Sequence, residues 1–94
     1  MVVWQGKLKV RPGTRGEYIE KIREADLVPA FLRQKGNVFF HVGASILDED
    51  ILIVCDAWED KESLKAHEAS AEVARWFEIY DQYVTDSESD LYEL

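Results

Sequence analysis

An acid, an indole and an imidazole lie close together in the sequence at Asp56, Trp58 and His67. Asp56 and Trp58 follow an apolar run at 51–55 and are two positions apart, so in a strand they share one face. A helix that follows and packs on that face brings His67 over the same space. A carboxylate and an imidazole on one pocket are suited to proton abstraction, and an indole offers a flat surface to an aromatic ring. These three residues are the candidate catalytic group, and Trp58 is also a candidate for substrate binding.

Each member of this group also has a structural interpretation. Trp58 is equally consistent with a core residue at the end of a strand. Asp56 either orients His67, as a carboxylate orients a catalytic histidine in other enzymes, or forms a buried ion pair. Arg33 and Arg75 are candidates for the basic partner in such a pair. His67 is a general base, an axial metal ligand, or a half-exposed helix residue with no role in chemistry.

Three more residues are candidates for contact with a substrate: Trp4, His41 and Tyr80. Trp4 lies two positions from Gly6 on the apolar face of the first strand, where the missing side chain leaves room for a pocket wall. His41 is the other histidine, and it faces either the pocket or an interface between subunits. Tyr80 has a hydroxyl group that can donate a hydrogen bond to a substrate oxygen. For each of them, a structural role is the simpler interpretation.

The composition restricts the classes of partner. The chain has 94 residues and a net charge of −8, which predicts one domain, residues 1–94, that would gain buried surface by pairing with a second copy. Negative charge without a stripe of Lys and Arg argues against binding to nucleic acid or to a membrane. The single cysteine, Cys55, excludes an intrachain disulfide, and no Cys/His spacing indicates a metal site. Because the sequence has no signal peptide and no membrane span, we expect a cytoplasmic protein.

The elements that position the candidates begin with a strand at Val2–Val10, where apolar and polar residues alternate. Thr14-Arg15-Gly16-Glu17 has the form of a capping box and predicts the start of a helix. Helical spacing places an apolar group on one side of this helix: Tyr18, Ile22, Ala25, Pro29 and Leu32. Pro29 predicts a kink or break near the third turn, and Gly36 is suited to follow the end of the helix.

A hairpin and a second helical region are predicted next. Residues 38–46 and 51–59 are expected to pair as strands around an acidic turn, with the second strand central and covered on both faces. Asp60 and Ser70 are suited to cap two helical segments. The second segment has an apolar stripe at Val73, Trp76, Phe77 and Tyr80. The polar residues 85–90 are expected to form a loop before a short last strand at 91–94.

The resulting order, β-α-β-β-α-β, predicts an α+β protein with a ferredoxin-like fold. Such a fold is an antiparallel four-stranded sheet with two helices on one face. The opposite face would expose an apolar set of alternating residues: Ile51, Ile53, Cys55 and Ala57. The sheet of a second copy is the natural cover for such a face, which predicts a homodimer.

Three local patterns occur in order over nearly the whole length of the chain. Val10-Arg11-Pro12-Gly13 lies at the exit from the first strand, and Gly36-Asn37-Val38 lies at the turn into the second. The most specific pattern is acid-x-Trp-x-(Ser/Asp)…Leu…His…Ser, which here consists of Asp56, Trp58, Asp60, Leu64, His67 and Ser70. In these patterns and in their order, the chain resembles the antibiotic biosynthesis monooxygenase family of dimeric α/β-barrel proteins.

The resemblance implies a shared fold with varied chemistry. Some members oxygenate quinols or anthrones without metal or flavin, some degrade haem, and one branch isomerises a phosphorylated sugar. The haem-degrading branch has an Asn on the first strand, a Trp on the third and a His on the second helix. This chain matches it at Trp58 and His67, but Gly6 stands at the first position, which argues against haem degradation.

The main hypothesis is a monooxygenase that needs no cofactor and oxidises a small quinol- or anthrone-like substrate with dioxygen. In this hypothesis His67, polarised by Asp56, removes a proton, and the resulting carbanion reduces dioxygen directly. One alternative is an isomerase of an enolisable sugar or ketone, because it needs the same base. The other is a dimer that binds a small ligand or haem without turnover.

Overall fold

A computed structural model describes all 94 residues and contains eight elements. In chain order they are β1 (Val2–Val10), α1 (Arg15–Glu24), α2 (Leu27–Leu32), β2 (Asn37–Ala44), β3 (Ile51–Trp58), α3 (Lys61–Glu68), α4 (Ala71–Tyr83) and β4 (Val84–Glu93). The strands form one antiparallel sheet in the order β2-β3-β1-β4, with the helices on one face. The predicted ferredoxin-like fold is confirmed, and each of the two helical regions is divided into two helices.

The register of β1 with its neighbours determines which side chains share the helix-covered face. Trp4 lies opposite Asp56 of β3, and Gly6 lies opposite Ser89 of β4. Since side chains alternate between faces, the even-numbered residues of β1 and β3 point toward the helices. The core lies between this face and the helices. Its largest fully buried side chains are those of Trp58, Tyr18, Phe31, Leu52, Val10 and Val54.

The two predicted caps in the second helical region are both present. The Asp60 carboxylate accepts a hydrogen bond from the backbone N–H of Ser63 at 2.8 Å, which begins α3. The Ser70 hydroxyl accepts one from the backbone N–H of Val73 at 3.2 Å, which begins α4. These bonds satisfy N–H groups that have no partner inside the helix. Because α3 ends at Glu68, His67 lies in its last turn, above the end of β3.

The capping box predicted for the first helix does not form. The Thr14 hydroxyl donates to the backbone carbonyl of Arg11 at 2.7 Å, and its side chain caps no N–H group. The predicted break is present, but it lies three residues before Pro29. Asp26 adopts a left-handed conformation with φ of 55°, and Pro29 occupies the first turn of α2. A missing N–H group costs nothing there, because the first N–H groups of a helix have no partner.

The break at Asp26 changes which residues of the first helical region are buried. Leu27 and Phe31 enter the core, whereas Leu32, predicted on the apolar side, is half-exposed. A continuous helical period cannot account for this, because the left-handed residue rotates α2 relative to α1. Gly36 does not directly follow the helix but lies in the next turn with φ of 80°. A Cβ atom there would collide with the Ser63 side chain.

The predicted hairpin is present, and β3 is central as expected. Its partner β2 ends at Ala44, two residues earlier than predicted, and Ile46 is exposed in the turn. The two faces of β3 differ. The helix-covered face is buried, whereas Ile51, Ile53 and Cys55 on the opposite face are partly exposed in the single chain. Ala57, which was predicted to be exposed with them, is buried.

The prediction for the C-terminal region was wrong, because residues 85–90 are not a loop. β4 extends over ten residues and pairs with β1 along its length. It is an edge strand whose residues after Val84 are all exposed, so its residues alternate mainly between acidic and small polar side chains and lack the apolar–polar pattern of a half-buried strand. Hydrogen bonds to β1, rather than burial, hold it in the sheet.

The buried stripe of α4 consists of Val73, Trp76, Ile79 and Tyr83. Phe77, which was predicted to belong to it, is half-exposed. Trp76 and Ile79 are three positions apart on one side of the helix, and Phe77 lies at the edge of that side. None of the four helices combines the length with the hydrophobicity that crossing a bilayer requires.

Candidate functional site

A cavity of about 390 Å³ lies between the helix-covered face of the sheet and the helices α2, α3 and α4. This volume is within the range of small-molecule sites. Six aromatic side chains border it: Trp4, Phe31, Phe40, Trp76, Phe77 and Tyr80. The sheet and α3 place four ionisable residues at its border: Asp56, His67, Glu68 and Glu88. The cavity thus joins an aromatic lining to a small group of ionisable side chains.

Trp4 forms a wall of this cavity because of Gly6. A Cβ atom at position 6 would lie 2.5 Å from Cη2 of Trp4, so the indole lies over the glycine. Any other residue at position 6 would displace the ring. The structure therefore places Trp4 where its spacing from Gly6 indicated.

Asp56 is 4% exposed and has one free oxygen at the cavity. Its Oδ2 accepts a hydrogen bond from Nε1 of Trp58 at 2.7 Å, and its Oδ1 accepts none. Burial raises the pKa of Asp56 to about 6, the Trp58 bond acts in the opposite direction, and the charge of Glu68 adds to the increase. Asp56 therefore takes up and releases protons close to neutral pH.

Trp58 is fully buried and lies behind the cavity rather than on it. Its indole is held between Asp56, to which it donates its hydrogen bond, and His67, whose ring centroid is 4.4 Å away. Because the ring does not border the cavity, its position does not support the predicted stacking of a substrate on Trp58. The indole instead contacts both Asp56 and His67.

His67 is fixed by a residue that the sequence did not indicate. Its Nδ1 lies 2.7 Å from Oε1 of Gln34, which follows α2. With an amide oxygen as the acceptor, Nδ1 carries the proton and Nε2 is the unprotonated nitrogen. The edge-on ring of Phe31 packs on the imidazole at 4.9 Å. Burial lowers the pKa of His67 to about 4, which the charge of Glu72 opposes, so the ring is neutral at neutral pH.

No hydrogen bond joins Asp56 to His67, so the expected orienting contact between them is absent. The ion pair considered for Asp56 is absent too, since its partner is Trp58 and Arg75 pairs with Glu78. The reason is geometric. The indole fills the space beside the carboxylate and carries the donor that the buried oxygen needs.

His41 and Tyr80 lie in different places. His41 is paired with Cys55 in the sheet and stacks on Phe39 at 4.8 Å, on the face away from the helices. It is outside the cavity, so a role in substrate binding is not supported by its position. Tyr80 borders the cavity, and its hydroxyl donates to Oγ of Ser87 at 3.0 Å. This bond connects α4 to β4 at the rim.

Four cavity residues were missed from the sequence, Phe31, Phe40, Ser87 and Ser89, and so was Gln34, the hydrogen-bond partner of His67. Ser87, Ser89 and Leu91 alternate along β4 on the side of the helices, and this period of two was the available signal for that strand. Gln34 gave none, because it lies in a turn and reaches His67 only through the path of the chain.

The sequence profile of the family described as Antibiotic biosynthesis monooxygenase matches residues 1–79. The chain belongs to this family. Membership supports a monooxygenase or small-molecule-binding role. The matched part contains Asp56, Trp58 and His67, whereas Tyr80 and the whole of β4 follow it.

Solved structures show the same fold at low sequence identity. A conserved protein of unknown function from Bacteroides thetaiotaomicron is 22% identical, with a TM-score of 0.86 over 99% of this chain and 96% of that one. A protein from Nitrosomonas europaea that is classed with antibiotic biosynthesis monooxygenases is 18% identical, with a TM-score of 0.88 over 100% and 98%. A conserved protein from Methanosarcina mazei is 20% identical, with a TM-score of 0.87 over 98% and 90%. No functionally curated protein matches the sequence.

Two observations distinguish this antibiotic biosynthesis monooxygenase family member from the haem-degrading branch that its sequence partly resembles. The expected Asn position is Gly6, and the Trp4 indole covers it. No lysine or arginine borders the cavity, so the two propionates of haem would have no cationic partner there. The residues present do not fit haem.

Proposed function

We propose that this protein is a cofactor-independent monooxygenase that oxidises a small, electron-rich aromatic substrate with dioxygen. The observation that carries the proposal is the free Oδ1 of Asp56 in an aromatic cavity, on a group whose pKa is about 6. A general base is most effective when its pKa lies near the working pH. A substrate proton can therefore be removed without help from a metal.

Asp56 is a better candidate for the base than His67, which the sequence favoured for this role. At neutral pH both are unprotonated, but the carboxylate, with a pKa of about 6, binds a proton more strongly than the imidazole, with a pKa of about 4. The unprotonated Nε2 of His67 is suited to accept a hydrogen bond from a substrate hydroxyl. His67 would then orient the ring while Asp56 takes the proton.

The reaction balances for an anthrone-type CH₂ group. Asp56 takes one proton, and the carbanion gives one electron to dioxygen, which forms a substrate radical and superoxide. These combine through a new C–O bond, and the peroxide oxygen takes the proton back from Asp56. Loss of the remaining C–H proton and cleavage of the O–O bond then release water and leave a carbonyl group. The aromatic walls hold the ring and exclude bulk water.

Oxygen consumption tests this proposal directly. Purified protein is mixed with a panel of anthrones and hydroquinones in an oxygen electrode, and quinone products are identified by mass spectrometry. Asp56→Asn should lower kcat/KM by about a hundredfold or more, the range expected for loss of a general base. Asp81→Asn, an exposed carboxylate on α4 outside the cavity, is the matched control and should retain activity.

Two results would contradict the proposal. If members of the panel bind but none consumes oxygen, a ligand-binding role without turnover replaces it. If Asp56→Asn keeps full activity, the base has been misassigned. An isomerase could use the same base, but a phosphorylated sugar is a poor match for a cavity without Lys or Arg.

We also infer that the protein is a homodimer. The support is the sheet face opposite the helices, where the apolar side chains of Ile51, Ile53 and Cys55 are only partly buried in one chain. Tyr92 of β4 lies on the same face and is half-exposed. The sheet of a second copy would bury this surface. The cytoplasmic location stays a prediction.

A further inference from the structure

The cavity carries negative charge and no positive charge. Asp56 and Glu68 border it, and no lysine or arginine does. Glu68 acts on the carboxyl group of Asp56 through space, and Glu72 acts on His67. Glu88 also borders the cavity, but its position opposite Lys7 directs its side chain to the other face of the sheet. A ligand therefore meets a negative potential that arises from Asp56 on β3 and from Glu68 at the end of α3.

Asp56 gives a second, independent indication of a ligand. The residue is 96% buried, since 4% of it is exposed, and only one of its two oxygens has a partner in the protein. The second oxygen has no donor in the protein and is not sealed in the core, since the one fully buried polar atom without a partner is the Tyr18 hydroxyl. The unpartnered Oδ1 borders the cavity, where a group that donates a hydrogen bond would satisfy it.

This charge distribution restricts the substrate of the proposed reaction. A neutral ring that loses a proton becomes an anion, and here it would lie beside Glu68 with no cationic side chain to stabilise it. A ring that carries its own positive charge becomes neutral overall when it loses the same proton. The indole faces of Trp4 and Trp76 in the cavity lining also attract cations.

We propose that the cavity selects an electron-rich aromatic ring that bears an ammonium group. The acidic hydroxyl or C–H of the ring lies at Asp56, and the ammonium group lies toward Glu68. This inference rests on the proposed oxygenase function, which supplies the reaction, and it adds the chemical class of the substrate.

Three hydroquinones that differ mainly in charge test this inference. Aminoethylhydroquinone is cationic, ethylhydroquinone is neutral, and hydroquinone propionic acid is anionic at neutral pH. Their binding is measured without oxygen by isothermal titration calorimetry, and oxygen consumption is measured separately. The cationic compound should bind about tenfold more tightly than the neutral one, equivalent to about 1.4 kcal/mol. The anionic compound should bind most weakly.

A pair of variants on α3 locates the source of this preference. Glu68→Gln should reduce the preference for the cationic compound to about twofold, because it removes the charge at the cavity. Glu62→Gln removes an exposed charge from the first turn of the same helix, outside the cavity, and should leave the preference unchanged.

The outcomes separate this inference from the function on which it rests. Equal or tighter binding of the neutral or anionic compound overturns the inference, and so does a preference that survives Glu68→Gln. Oxygen consumption with the neutral compound would then still support the oxygenase. Preferential binding of the cation without oxygen consumption supports the ligand class and overturns the oxygenase. If none of the three compounds binds, the inference is overturned.

Discussion

The strands β3 and β4 both pair with β1, yet they contribute different things to the cavity. β3 supplies Asp56 from a buried position, where desolvation changes its acid–base behaviour. β4 supplies the hydroxyl groups of Ser87 and Ser89 from an exposed edge. The comparison shows that a central strand can alter the chemistry of a side chain, because it excludes water, whereas an edge strand mainly shapes the entrance.

The outer faces of the two strands differ as well. On β3 this face is apolar, at Ile51, Ile53 and Cys55. On β4 it is acidic, and Glu88 and Asp86 lie opposite Lys7 and Lys9 of β1. An apolar strip beside charged residues is consistent with an interface that has a dry centre and a polar rim.

The largest effect is expected from a charge placed on the outer face of β3. Ile53→Lys would bury an unpaired cation in the proposed dimer interface, twice because of symmetry, and should weaken dimerisation at least a hundredfold. Sedimentation equilibrium measures this. Ser89→Lys on the helix-covered side of β4 is the control and should leave the association unchanged. A wild-type chain that is monomeric at all concentrations would contradict the homodimer.

The pH dependence of stability should next distinguish β3 from β4. The pKa of Asp56 is raised from 3.8 to about 6, so its contribution to stability is complete below pH 3.8 and is lost as the pH rises through about 6. Asp56→Asn removes this loss. Between acidic and neutral pH, the free energy of unfolding of the variant should rise by roughly 2 to 3 kcal/mol relative to that of the wild type, as measured by urea unfolding.

The matched substitution on β4 provides the control for that series. Ser89→Ala should change the free energy of unfolding by the same small amount at every pH, because the residue is exposed and does not titrate. A wild-type curve parallel to that of Asp56→Asn over this range would mean that Asp56 is not desolvated. The pKa of His67 is lowered, so its effect on the free energy of unfolding is opposite to that of Asp56, and stability is lost as the pH falls through about 4. This contribution is the same in the wild type, Asp56→Asn and Ser89→Ala.

A somewhat smaller effect is expected from Trp58→Phe. The substitution removes the donor to the Asp56 carboxylate and keeps most of the buried ring, at a cost of about 2 kcal/mol. The pKa of Asp56, read from the pH profile of kcat/KM, should rise above about 6 because the bond that lowers it is gone. An unchanged profile would show that the bond does not influence the base.

The smallest effect is expected at the rim. Tyr80→Phe breaks the exposed hydrogen bond between Tyr80 and Ser87. The free energy of unfolding should therefore change by less than about 0.5 kcal/mol. KM should change more than kcat, because the residue touches the entrance and not the reacting atoms. A large fall in kcat with normal stability would instead give the Tyr80 hydroxyl a part in the chemistry.

The sequence predicted the site residues of β3 better than those of β4. The acid-x-Trp pattern after an apolar run predicted the face and proximity of Asp56, Trp58 and His67, and all three lie together. β4 was missed because an edge strand needs no apolar pattern. The sequence favoured His67 as the base, but burial makes Asp56 the better candidate, because desolvation lowers the pKa of His67 and raises that of Asp56.

The sequence by itself determined the order of the elements, the face on which each residue of β1 and β3 lies, and the caps at Asp60 and Ser70. These depend on periods of two or 3.6 residues and on contacts within a few positions. Only the tertiary structure decided that Trp58 bonds to Asp56 and that Gln34, 33 positions away, bonds to His67. Hydrogen-bond partners and desolvation depend on which distant segments exclude water from a side chain, and no local spacing contains that information.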